Sequence, residues 1–191
     1  MNKKNTLFLF ALCPILPAAS NLGYGTILSC LILWLFLSSY ILQKIIGRLE
    51  LQKASKGIEL MGLACSLSLF QVVLQGIFPV LIVSLELYII LTAFSFFIIE
   101  NLSAALFESR LFPQLPFFVL FILLFSLVRE FFGYGTISVP VPDGLYTITV
   151  FENLPKVTGF WGTTGAAFIL LGFIVRIAQI RIPAFFSLKG K

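Results

Sequence analysis

The chain has 191 residues, 59% of them hydrophobic and only 11% charged, with a mean hydropathy of +1.06. A soluble domain carries about a quarter charged residues, so this composition describes a single integral membrane domain over 1–191. The net charge of +5 has no nucleic-acid-binding signature beside it, and His 0 excludes haem, zinc or di-iron sites built on histidine as well as a histidine proton shuttle.

Six apolar segments are predicted in order, over 5–21, 26–46, 58–78, 79–99, 111–132 and 165–182. Most approach the roughly 20 residues that carry a helix through ~30 Å of hydrocarbon. The first segment is short and interrupted at Cys13-Pro14-Ile15-Leu16-Pro17, because proline removes a backbone donor and clashes with the preceding turn. A broken helix survives in a bilayer only where protein or a cavity satisfies the freed backbone groups, which makes Cys13 a candidate ligand at such a break. Lys3, Lys4, the apolar run and Pro17-Ala18-Ala19-Ser20 also fit a cleaved signal peptide, an alternative that would leave five spans. Leu12 before Cys13 argues against a lipoprotein signal, which needs a small residue there. The Asn21–Gly25 and Gly76–Pro79 stretches read as tight uncharged turns.

Cys30 and Cys65 read as small buried hydrophobes, since no Cys-x-x-Cys pair or disulfide framework is present. Segment four carries Glu86, seven residues or ~10 Å beyond Pro79 at 1.5 Å per residue. A carboxyl group at that depth usually faces the bundle interior or an aqueous path. It is read either as an ion- or proton-handling group or as a protonated or paired structural residue. Arg129-Glu130, at the outer end of segment five where an adjacent pair can reach the interface, is read as a structural pair or as snorkelling side chains. The stretch 133–164 is an external loop with a short strand expected over Tyr146–Phe151. Thr163-Thr164-Gly165-Ala166 is read as a helix start, and Arg176 and Arg181 as topology anchors. Eleven of thirteen basic residues fall on the side of the N-terminus, which predicts both termini in the cytoplasm. Six spans divide into two triplets of opposite orientation, so the expected fold is an all-α membrane protein with two inverted three-helix repeats and broken first and fourth helices. The matching tetrads Gly23-Tyr24-Gly25-Thr26 and Gly133-Tyr134-Gly135-Thr136 do not hold equivalent places in that scheme. There is no Gly-rich phosphate loop, no Gly-x-Ser-x-Gly and no acidic cluster for a divalent metal.

Leu12-Cys13-Pro14 followed by Asn21-Leu22-Gly23-Tyr24-Gly25 resembles the opening of the Rnf/Nqr membrane subunits. Val128-Arg129-Glu130-Phe131-Phe132-Gly133-Tyr134-Gly135-Thr136 is similar to the Arg-Glu…Gly-x-Gly-Thr stretch of the RnfE/NqrD branch. Gly76 to Val83 resembles that branch's fourth helix, and Gly165-Ala166-Ala167-Phe168 with Leu171-Gly172 its last. The resemblance implies a non-catalytic, multi-pass subunit of a bacterial inner-membrane complex that couples electron transport to Na⁺ or H⁺ translocation. It further implies pairing with a paralogous subunit of opposite topology. Each of the two would give one cysteine from helix one and one from helix four to a shared [2Fe–2S] cluster inside the membrane. Cys13 matches the first ligand. Where the family continues Val-Thr-Asn-Cys, this chain has Val83-Ser84-Leu85-Glu86, and no cysteine follows Cys65. Either Glu86 or a partner's residue takes that ligand position, or this member has lost the cluster. The alternative function is a non-redox transporter or assembly scaffold that keeps the same fold.

Overall fold

The computed structural model describes residues 15–48, 55–102, 115–150 and 159–181. In chain order these form helix α1 (Ile15–Ala18), α2 (Leu22–Arg48), α3 (Ser55–Ile77), α4 (Pro79–Leu102) and α5 (Leu115–Tyr134). Strands β1 (Thr136–Val141) and β2 (Gly144–Thr149) follow, then helices α6 (Gly159–Gly162) and α7 (Thr164–Arg181). The protein is thus mostly helical. Three helices, Leu22–Arg48, Lys56–Ile77 and Pro79–Phe97, are long and apolar enough to cross a membrane. They overlap the expected segments two to four. Cys13 and the rest of segment one up to residue 14 lie outside the described residues.

The central element is α2. It contacts α1, α3, α4, α5 and β1, and half of its most apolar window is buried, against 17% for α3 and 22% for α4. The core runs along its Leu28, Leu31, Leu35 side and takes in Leu63, Leu74, Leu81, Leu85, Ile89, Ile122 and Phe125 from the neighbours. At 27 residues α2 is ~40 Å long, more than a hydrocarbon layer needs, so it tilts or projects beyond it. Antiparallel pairing joins α3 to α2: Trp34 Nε1 donates to the Ser66 carbonyl at 3.0 Å, and farther along α2 Leu42 lies against Gly62.

Between α3 and α4 the chain leaves helical geometry only at Phe78. Pro79 has no N–H to continue the α3 ladder but fits the first position of a new helix. The Phe78 carbonyl starts that helix by accepting from the Leu81 and Ile82 amides at 3.2 and 3.3 Å.

The end of α5 is set by Gly135, whose φ of 66° is the left-handed conformation that closes helices and favours glycine. Its amide donates to the Phe131 carbonyl at 3.1 Å and its carbonyl accepts from Val150 at 2.8 Å, so one residue ends the helix and closes the hairpin. β1 and β2 pair antiparallel from Thr136↔Thr149 to Val141↔Gly144 around Pro142-Asp143. The expected strand over Tyr146–Phe151 therefore becomes a two-stranded hairpin, with its second strand ending at Thr149. Its first strand carries Pro140, and a two-stranded ribbon has free edges where the missing N–H is tolerated.

Another expectation is overturned at Asn21–Gly25. This stretch is not a turn: α2 begins at Leu22, and Gly23 and Gly25 lie in its first two turns. Both glycines serve close approach instead. Ser126 of α5 occupies the space a Gly25 side chain would need, and Leu145 of β2 does the same at Gly23. Gly133 is tighter still, because an added Cβ would stand 2.8 Å from the Gly162 nitrogen and 3.1 Å from its Cα. Backbone cannot rotate away as a side chain can. Gly133→Ala is therefore expected to cost roughly 1–3 kcal/mol, read as a lower thermal midpoint of the detergent-purified protein. Gly165→Ala, with open space around it, should leave that midpoint unchanged.

Candidate functional site

Two adjacent residues of α5 form the most concentrated polar site among the described residues. Arg129 is 1% and Glu130 0% exposed, so of the two expected roles the structural one fits this burial and free snorkelling does not. The reason is local. The chain breaks into short helices on either side of α5, and every helix end leaves backbone groups without intrahelical partners.

Arg129 serves carbonyls. Its Nη1 donates to Leu16 and Ala19 at 2.6 and 3.0 Å, where α1 ends. Its Nη2 donates to Gly162 and Thr163 at 2.8 and 3.1 Å, where α6 ends. A guanidinium fork presents several N–H groups in one plane, so it can close two helix C-termini at once, where a positive charge is also favoured. Thr163 then starts α7 by accepting from the Ala166 amide through its hydroxyl at 3.4 Å, as expected of Thr163-Thr164-Gly165-Ala166.

Glu130 serves donors. Its Oε2 accepts from the Leu22 amide at 2.6 Å, the first residue of α2, and from the Ser138 hydroxyl at 2.9 Å. Its Oε1 accepts from the Thr136 hydroxyl at 3.2 Å. Ser138 in turn accepts from the Gly23 amide at 3.3 Å. A negative charge at the N-terminus of a 27-residue helix meets its positive end, and the same carboxylate fastens β1 to it. The two side chains thus hold opposite helix ends, each with the complementary charge. They also explain why Asn21–Gly25 is not a free turn.

The residues singled out from the sequence are not gathered into one centre. Cys13 precedes the described chain by two residues, three before the Leu16 carbonyl that Arg129 holds. Glu86 lies on the exposed side of α4. Nearby, the Ser84 hydroxyl and the Tyr24 phenol share a hydrogen bond of 3.1 Å. Cys30 and Cys65 are free and exposed, not buried as their apolar surroundings suggested. No group of three His, Cys, Asp or Glu side chains comes together among the described residues. A [2Fe–2S] cluster shared between two subunits would need a pair of thiolates from this one. Cys13 lies outside the described residues, α4 has no cysteine, and Glu86, at the place where the resemblance puts the second ligand, is a hard oxygen donor.

What could have exposed the site earlier is an Arg-Glu dipeptide one turn inside an apolar helix, followed by the small residues Gly133, Ser138 and Gly162. Comparison with known families, with characterised proteins and with solved structures found no match to this chain.

Proposed function

We propose that this chain is a membrane subunit of an Rnf/Nqr-type electron-transfer complex in a bacterial inner membrane, coupling electron transport to Na⁺ or H⁺ translocation. In this reading it has six spans in two inverted triplets, both termini in the cytoplasm, and a paralogous partner of opposite topology. One observation carries the proposal. Two of the stretches that carry the resemblance, Cys-Pro near the N-terminus and Arg-Glu in α5, are 115 residues apart in sequence, yet Arg129 holds the carbonyls of Leu16 and Ala19, two and five residues beyond Pro14. A contact between one of these stretches and the chain that follows the other supports the reading.

In this reading Cys13 is the residue offered to a cluster at the subunit interface, and no electron-transfer step is assigned to a second ligand of this chain. Purification with its partners from native membranes, followed by iron analysis and EPR, tests the role. Cys13→Ser is expected to remove the iron signal and to reduce electron transfer by more than the roughly 10–100-fold that loss of an outer-shell partner costs a metal site. Iron content and activity unchanged in that variant would overturn the cluster role. A reporter fusion placing Asp143 in the cytoplasm would overturn the topology.

A second reading is favoured by Glu86. A carboxyl group stands where the resemblance expects a cysteine-bearing stretch, which suits a non-redox transporter or assembly scaffold that keeps the fold, with Glu86 on its ion path. An iron-free complex that still moves Na⁺ or H⁺ would select it.

A further inference from the structure

We infer that α4 is an interface helix: a transmembrane helix of a second, different subunit covers its Glu86 face and brings a cationic or amide donor to that carboxyl group. Burial divides α4 along its length. Leu81, Leu85, Ile89 and Thr92 recur at steps of four and three and are buried against the rest of the chain. Val83, Leu87, Ile90 and Phe94 recur at the same steps on the other side and are 80, 68, 50 and 61% exposed. Glu86 follows Val83 by three residues and precedes Ile90 by four, so it belongs to the outward stripe, and it is exposed.

Within Pro79–Phe97, Glu86 is the sole Asp, Glu, Lys or Arg. It lies two residues from the middle of that span, ~3 Å along the axis. Hydrocarbon offers a carboxyl group no hydrogen bond, and ionisable groups at such depth face protein or water. This chain provides no basic partner there among its described residues. Arg129 is buried and engaged by four carbonyls. Lys44 and Arg48 lie in the last turns of α2 and Lys56 at the start of α3, at the helix ends remote from Phe78, and Arg176 and Arg181 lie in the last turns of α7. A second copy would bring the same stripe with the same carboxyl group. Charge complementarity therefore selects a different subunit, and the apolar stripe around Glu86 is the surface a packed helix needs. An ion path through Glu86 would then follow a subunit interface, not the core of this chain. The inference locates the partner of the function proposed above, but it rests on burial and charge and does not require redox chemistry.

The test places a photocrosslinking amino acid at Leu87 of the full chain in native membranes, with mass-spectrometric mapping of the product. The expected result is a discrete adduct to a transmembrane segment of another polypeptide carrying Lys, Arg, His, Asn or Gln within one turn of the contact. Glu86→Lys should lower its yield about tenfold, Glu86→Gln less, at matched membrane levels. Glu at the partner's donor position should restore the yield in the Glu86→Lys chain. Adducts to lipid alone, to a second copy, or to a segment without a donor would overturn the inference, as would a yield indifferent to Glu86→Lys. Iron content and electron transfer are separate measurements, so failure here is distinguishable from failure of the redox function.

Discussion

Arg129→Ala is expected to be the most damaging single substitution in the described part of the chain, lowering stability by about 3–5 kcal/mol. Four backbone carbonyls lose their donors together, at 2.6 to 3.1 Å, and they belong to the ends of two short helices. Neither α1 nor α6, at four residues each, holds its shape through its own hydrogen bonds. Both should therefore detach from α5. The measurement is unfolding of the purified protein in detergent, with hydrogen exchange at 15–20 and 159–164 as the local readout. Arg129→Met fills much of the volume without donating, and is expected to cost nearly as much. Arg129→Lys keeps the charge but loses the fork, and should cost about half as much. A methionine variant as stable as the parent would show that side-chain volume, not carbonyl capping, is what Arg129 supplies.

Glu130→Ala is expected to cost a further class of contact, about 2–4 kcal/mol, because three donors lose one acceptor group. The Leu22 amide and the Ser138 hydroxyl both depend on Oε2 in a fully buried place. Fraying should begin at the N-terminus of α2 and spread to β1, seen as faster hydrogen exchange at 22–26 and 136–140. Glu130→Gln tests charge apart from hydrogen bonding. Its amide oxygen can still accept from Leu22 and Ser138, while its NH₂ can donate to the Thr136 hydroxyl. The glutamine chain should lose only about 0.3–2 kcal/mol, the contribution of a negative charge at a helix N-terminus. Equal losses for Gln and Ala would mean that the charge alone matters.

Much of the secondary structure is legible in the sequence for simple reasons. Apolar runs of about 20 residues between basic clusters mark helices, and Pro79 marks where one ends and the next begins. Thr163 announces α7 because its hydroxyl can replace the missing backbone acceptor of the first turn. The hairpin is only half legible. Asp143-Gly144 signals its turn, but Pro140 hides the first strand, which stands because a two-stranded ribbon has edges that need no further partner.

The sequence by itself determined the class of molecule, since so few charges and such long apolar runs leave a soluble core no meaning. It also supplied the break at Phe78-Pro79, whereas Pro17 lies inside α1 and the chain turns only after it. Only the tertiary structure decided which way each polar group faces. Arg129 and Glu130 are at the buried meeting point of four helices and a hairpin, Glu86 is outside, and Cys30 and Cys65 are exposed. The physical reason lies in the solvent. In water, polar and apolar faces of a helix separate core from surface, whereas lipid is as apolar as leucine, so both faces of these helices read alike. Burial in such a chain follows from which helix ends need partners, and that is known only once the helices are in place.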